Sequence, residues 1–356
     1  MKKLIVILLL VTNLFGEKCT FQIKNQKDLD LIQTVNCKSL NIDFYEGKYI
    51  LNSPISLQLK KTDGVVIRGK GIRNTKLIVA NTKGAIDISL KKKSTTIKIM
   101  DLSIQSMMEG SGHAISIIQP NGGNQHRRNV ILRDIEISNF RNKKEYFFIK
   151  AINLQGVWRP MIDNVFVSGF YGPKAKGKIP KMLSCFQLDD VYSPTIINSR
   201  CWSSQFGINM TSKHNPGPEG LIVDQSKFVE TVIGINIDYI SQEPGGFITN
   251  NHINAMEKGI NIKNRKFLII KNNLMYRNEY SKSYIDMNFI NVNDSIISEN
   301  IFHHPSKKRP LDRKEINLKN SKNNTIINNF FTKPSKKIFG EKKNNKIENN
   351  FISGSK

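Results

Sequence analysis

Along most of its length the chain repeats one short pattern: a small residue, then apolar, polar, apolar, polar. It reads Gly207-Ile208-Asn209-Met210-Thr211, Gly234-Ile235-Asn236-Ile237-Asp238 and Gly259-Ile260-Asn261-Ile262-Lys263, with related copies opening at Ala85, Ala114, Ala151, Tyr284 and Glu315. Alternation with period two marks a strand that buries one face and exposes the other. After each copy and a variable loop comes a second phrase, apolar, any, Asn or Asp, as in Ile248-Thr249-Asn250 and Ile270-Lys271-Asn272. Its last slot is filled in turn by Asp101, Asp134, Asn164, Asn198, Asp224, Asn250, Asn272, Glu299, Asn328 and Asn349, at steps of roughly 20 to 35 residues. Strands at such spacing predict a solenoid, whose coils register on one another while insertions go to loops.

Asn and Asp suit a sharp corner because they tolerate the left-handed backbone conformation and bond to backbone groups that a turn leaves unpaired. Aligning the first strands predicts two outward-facing columns. One is Asp87, Ser116, Asn153, Gln187, Asn209, Asn236, Asn261, Asp286 and Asn317; the other is Ser89, Ile118, Gln155, Asp189, Thr211, Asp238, Lys263, Asn288 and Lys319.

Residues 1–16 carry Lys2 and Lys3, then an apolar run from Leu4 to Val11, and end on Gly16, which predicts a signal peptide and an exported protein, periplasmic or secreted. No later segment is long and apolar enough to span a bilayer. Residues 17–39 read as an N-terminal cap, with a short helix over 25–35 opened by Asn25, and residues 40–356 as the solenoid. The four cysteines fit an oxidising compartment; Cys19 and Cys37 flank the cap, whereas Cys185 and Cys201 share a coil and read equally as a bridge or as free thiols. The net charge of +25 is spread thinly as Lys among Asn and Ile, with clusters at 91–93, 307–309 and 336–337 in predicted loops. It suits an acidic polysaccharide, lipopolysaccharide or other cell-surface glycan better than nucleic acid, for which interleaved aromatic platforms are missing.

Gly47-Lys48-Tyr49-Ile50, the turn Asn52-Ser53-Pro54 and then Val65-Val66-Ile67-Arg68-Gly69-Lys70-Gly71-Ile72 resemble the N-terminal coils of the pectate lyase superfamily, the right-handed parallel β-helices of polysaccharide lyases, polygalacturonases and phage tailspikes. The resemblance covers about residues 40–352. It implies an all-β, single-stranded right-handed parallel β-helix of about ten coils behind a short capping helix. It does not carry activity over. The polygalacturonase Asp-Asp is matched at Asp189-Asp190, but the only Gly-His-Ala, at Gly112-His113-Ala114, precedes it, and Tyr171-Gly172 runs on into Pro173-Lys174-Ala175 where an alginate epimerase has Asp-Pro-His. His113, at the start of a strand, reads first as a packed structural histidine.

A site has therefore to be found among the outward residues. Asp189 and Asp238 stand two coils apart, roughly 9–10 Å at about 4.8 Å per coil, near the upper end of the separation of an inverting carboxylate pair. Lys213, His214, Asp190, Tyr192, Tyr239 and Glu243 lie on or just after those strands, Trp158 and Arg159 at the matching loop of the coil before, and His126, Arg127 and Arg128 one coil earlier. Long insertions at 139–150 and 168–183 are expected to wall the cleft. Two mechanisms fit: hydrolysis with Asp189 and Asp238 as acid and base, or β-elimination with Lys213, Arg159 or His214 as base and Ca²⁺ on Asp189 and Asp190 neutralising a uronate. The competing expectation is a non-enzymatic β-helix that binds a glycan or a protein along its flat face.

Overall fold

In the computed structural model the described residues are 18–30, 37–59, 63–90, 95–119, 129–143, 145–169, 180–277, 283–304, 312–332 and 339–353. Residues 1–16, read as a signal peptide, lie outside them, as do all three lysine clusters. Among the described residues, every pairing between strands is parallel, and the strands stack into three ladders. The first ladder holds the repeated phrase and runs from Ile55–Leu59 through Phe148–Gln155, Ser184–Asp189 and Phe206–Ser212 to Asp312–Lys319. The second runs from Lys18–Ile23 to Lys346–Glu348 and ends each coil's stretch at the Asn/Asp corner; the third follows the corner and ends at Phe351–Ser353.

Inward positions of the three ladders meet as one continuous apolar core. Ile115, Ile152, Phe186, Ile208, Ile235, Ile260, Met287 and Ile316 succeed one another on the first ladder, all fully buried. Each such side chain contributes about 1.5–3 kcal/mol by leaving water. The phrase opens on a small residue because the third ladder reaches across to it: a Cβ on Gly207 would sit 2.5 Å from the Phe228 ring, and one on Gly259 2.2 Å from Met275 Cε.

The corners divide their work between two consecutive residues. Asp101, Asp134, Asn164, Asn198, Asn250, Asn272, Glu299, Asn328 and Asn349 all have φ near +50° to +60°, as expected. Asp224 does not; Gln225 takes the left-handed conformation at 49°, because Asp224 pairs with Thr249 and so lies one position before the corner. The hydrogen bonding belongs to the next residue. Asn251, Asn273, Asn300, Asn329 and Asn350 form a ladder in which each Oδ1 from Asn273 onward accepts both the backbone N–H and the side-chain amide of the Asn one coil below, at 2.9–3.0 Å. Ser199 and Ser226 fill the same column with hydroxyls.

A second ladder of amides lies on the outward face of the first strand ladder: Asn209, Asn236, Asn261, Asn288 and Asn317 each donate to the neighbour below at 2.6–3.0 Å. Asn288, rather than Asp286, is therefore the member of that column, and Ile290, rather than Asn288, of the next. The sequence from Tyr284 to Ile290 alternates in either register, and the inter-coil amide bonds select the later one. Asp286 consequently falls in the small-residue slot beside Gly259, fully buried, with His304 Nε2 at 2.9 Å from its Oδ2.

At the N-terminus a helix covers Gln26–Asp30, and Asn25 Oδ1 caps it by accepting from Lys27 N at 2.9 Å and Asp28 N at 3.3 Å. The segment 17–39 also supplies a coil strand, since Lys18–Ile23 pairs in register with Ser39–Phe44. Both candidate disulfides are formed, Cys19 with Cys37 and Cys185 with Cys201. No helix among the described residues is long and apolar enough to cross a membrane.

Candidate functional site

The site lies where the middle strands of the first ladder end. Gln155, Asp189, Thr211, Asp238 and Lys263 follow one another in register, which leaves Asp189 and Asp238 two coils apart with Thr211 between them. Asp189 Oδ1 accepts from Gln187 Nε2 at 2.7 Å and Thr211 Oγ1 at 2.5 Å, so neighbours on its own and the next coil fix the carboxylate as an acceptor. Asp238 is held by Lys263 Nζ at 3.1 Å in a largely exposed ion pair. Such an exposed pair has little energetic worth.

One residue on, Asp190 turns the corner at φ 53° and points its carboxylate along the next loop. Ser212 Oγ donates to its Oδ1 at 2.7 Å, and its Oδ2 faces His214 Nε2 at 3.3 Å. His214 is exposed, as are Lys213 and Arg159.

Beside this dyad, Trp158 and Tyr192 lie on adjacent coils as paired residues, and their rings stack 4.0 Å apart with planes 3° from parallel. Together they form a half-buried aromatic stack in which each ring covers one face of the other. Burial first, and then the carboxylates of Asp190, Glu243 and Glu219, push the Tyr192 phenol up, so it remains a neutral donor.

The loops over the site are fastened from beneath. Glu243 Oε1 accepts from Gly217 N and Ser241 Oγ, both at 2.7 Å. Arg265 is completely buried; its Nη1 donates to Pro218 O at 3.0 Å, its Nη2 to Gly245 O, and its guanidinium lies 5.0 Å from the centre of the Tyr239 ring. Sequence reasoning missed this strut, although Arg265 aligns with the inward apolar Val292 and a charge in an inward slot is the signal for one. Tyr239, expected to bind substrate, is a correction. It follows Ile235 and Ile237 in the alternation and points inward, fully buried, with burial raising its phenol strongly.

The remaining expected site residues are only partly gathered. His126, Arg127 and Arg128 lie outside the described residues, as does most of the insertion at 168–183. The insertion at 139–150 contributes a single helical turn at Phe140–Asn142. Ca²⁺, which takes 6–8 oxygen ligands, was expected on Asp189 and Asp190. Asp189 Oδ1 is engaged by two donors, Asp190 by Ser212 and His214, and Asp238 by Lys263, and no group of three or more His, Cys, Asp or Glu among the described residues is placed to hold a metal.

No family model matches the chain, and no curated protein does. Its structure superposes along almost all its length on the A-module of the Azotobacter vinelandii mannuronan C-5 epimerase AlgE6, with a TM-score of 0.57, 10% identity, and 89% of this chain and 91% of that one covered. The chain is a right-handed parallel β-helix. The Dettilon tailspike protein shares that architecture with this β-helix at a TM-score of 0.51 and 10% identity, over 88% of this chain and 62% of the tailspike. At such identities the likeness carries the fold, and the chemistry of this β-helix has to come from its own residues.

Proposed function

We propose that this β-helix cleaves an acidic polysaccharide by β-elimination at the ends of the middle first-ladder strands. The observation that carries the reading is the aromatic stack of Trp158 and Tyr192 set beside the Asp190–His214 dyad. A sugar ring would pack against this aromatic stack, Arg159 or Lys213 would neutralise a uronate carboxylate, and Asp189 would accept a hydroxyl. His214, whose Nε2 faces Asp190 at 3.3 Å, would take the proton alpha to the carboxylate; the electron pair forms the new double bond, the glycosidic C–O bond breaks, and the leaving oxygen takes a proton from solvent.

A second reading, a glycan-binding module without turnover, is favoured by the Asp238–Lys263 ion pair, which occupies the partner that an acid–base pair with Asp189 would need. Incubation of the exported protein with a panel of uronate-containing polysaccharides separates the outcomes. Ultraviolet absorbance of unsaturated sugars rising with reducing ends supports elimination; reducing ends alone mean hydrolysis. Binding without either product, lost in Trp158→Ala, means a module. His214→Gln that retains full turnover overturns the proposed base.

A further inference from the structure

The second strand ladder turns an apolar column outward. Met161, Thr195, Ile222, Phe247, Ile269 and Ile296 succeed one another in register on consecutive coils, with Ile131 one coil below and Thr325 and Lys346 above. Ile222, Phe247 and Ile296 are 39%, 48% and 45% exposed, at positions where a strand facing water is ordinarily polar. A contiguous row of exposed apolar side chains marks an interaction surface.

The corner beside this column is a second, independent sign. Two residues before each member the chain takes the left-handed conformation, at Ser193, Gly220, Gly245, Phe267, Asp294 and Asn323 among others. Small and amide residues suit such a corner, but Phe267 holds φ 56° with its side chain 56% exposed. A bulky residue is strained there, and strain of this kind collects where function uses it. Gly245, one coil below, is bare, and a Cβ on it would meet nothing nearer than 4.0 Å.

The charges on the other side of the column select the partner. Two residues after its members runs a column with Arg133, Asp163, Asp224, Lys271 and Glu348, in which Thr249 separates Asp224 from Lys271. Let a second copy lie face to face with the first, related by a two-fold axis that runs along the strands through the Phe247 coil. Each column then meets itself with the coil order reversed. Phe247 faces Phe247, Ile222 faces Ile269, Asp224 faces Lys271 and Arg133 faces Glu348, while Phe267 passes over the bare corner at Gly220 and Gly245. Sliding one copy by one coil breaks both charge pairs. Sliding it by two sets Asp224 or Lys271 against itself. Within one chain Lys271 is held only by an exposed pair with Glu299 at 3.0 Å, which is weak enough to exchange.

We propose that this face pairs two copies of the chain, antiparallel and face to face, about the Phe247 coil. From Ile131 to Lys346 is about 38 Å at about 4.8 Å per coil, and the columns with their side chains are roughly 15 Å wide, on the order of 600 Å² per copy. That lies toward the low end for specific association, so the dimer is reversible, with a dissociation constant in the micromolar range. The pairing uses none of the residues given a role in elimination.

Sedimentation velocity of the exported protein between about 1 and 200 µM should show a reversible monomer–dimer equilibrium. Phe247→Asp sets two carboxylates against each other and should weaken the dimer at least about 100-fold, with unchanged circular dichroism because the side chain points outward. Phe267→Gly relieves the corner, so it should weaken the dimer about tenfold while unfolding at no lower denaturant concentration than wild type. Asp224→Lys and Lys271→Asp should each weaken pairing, and the two together restore it. A bismaleimide of about 10 Å should join Phe247→Cys copies but not Ile131→Cys copies, whose sites lie about 38 Å apart. The proposal is overturned if the protein stays monomeric at about 200 µM, if the dimer survives Phe247→Asp, if Ile131→Cys copies cross-link as readily as Phe247→Cys copies, or if the double exchange restores nothing. A monomer that instead floats with lipid vesicles, and ceases to in Phe247→Asp, would give the face to a membrane and overturn it equally.

Discussion

The division of labour at each corner makes a sharp contrast between adjacent residues. Asn272 takes the left-handed conformation at φ 56° and is exposed, whereas Asn273 is 1% exposed and forms the rung of the internal ladder. Asn273 Nδ2 donates to Ile248 O at 2.8 Å, Asn300 Oδ1 at 2.9 Å and Lys271 O at 3.1 Å, and its Oδ1 accepts from Asn251 N and Nδ2, both at 3.0 Å. Asn273→Ala removes five bonds and leaves the Asn251 backbone N–H buried without its acceptor. At roughly 1 kcal/mol net per bond, some of them re-formed by water or neighbours, and about 1–3 kcal/mol for the orphaned donor, the loss should be about 3–5 kcal/mol. Asn272→Gly keeps the corner conformation at no steric cost and should stay within about 0.5–1 kcal/mol of wild type, and Asn272→Ala should cost about 1–2 kcal/mol. Equilibrium urea unfolding of the three variants checks the order, with the slope compared as well as the midpoint, because partial opening of a solenoid lowers the slope. If Asn272→Gly proved as damaging as Asn273→Ala, the stacked amides would not be what joins coil to coil, and the reasoning would fail.

Two further expectations concern the loops and the titration of the fold. Arg265→Met keeps the bulk but releases the carbonyls of Pro218 and Gly245, so amide exchange at Gly217 and Gly220 should quicken well beyond any change in the outer coils; unchanged exchange would show that the strut is dispensable. His252, whose protonation burial and then Lys227 disfavour, has a folded pKa below its unfolded value of 6.5. Its contribution is therefore fully present above about pH 6.5 and lost as pH falls through the lower folded value. His252→Gln should flatten the fall in melting temperature across that window, and an equally steep fall in the variant would rule the group out.

What could be read from the chain and what could not have one physical root. Alternation reports which side of a strand faces inward, so the apolar columns, the corner series and the placing of Asp189 two coils below Asp238 were legible. Alternation also determines Tyr239, which continues the inward run of Ile235 and Ile237 and was nevertheless expected at the surface because aromatic rings suit sugars. The pattern does not report contacts between residues remote in sequence. Asp190 and His214 meet across adjacent coils, Arg265 reaches back to Pro218, and Gly84 is required only because His113 O comes close to it. Period two also repeats after every second residue, so it cannot choose between registers that differ by two.

Asp286 shows what that ambiguity costs. Displaced from the expected outward column, it fills a slot that Ala or Gly occupies on most coils, and it stays there as half of a buried pair with His304, 2.9 Å between Nε2 and Oδ2. If the slot demands only small size, Asp286→Gly should be tolerated. If the pair matters, the same change strands a buried imidazole and costs about 1–3 kcal/mol, the range for leaving a buried polar group without its hydrogen-bond partner. The structure favours the second outcome, because His304 is 3% exposed and its other ring nitrogen has no hydrogen-bond partner among the described residues. The double variant Asp286→Gly, His304→Met should then recover most of the loss, since an apolar side chain of similar bulk needs no partner there. Single and double variants unfolding at the same denaturant concentration would show that the two side chains are not coupled.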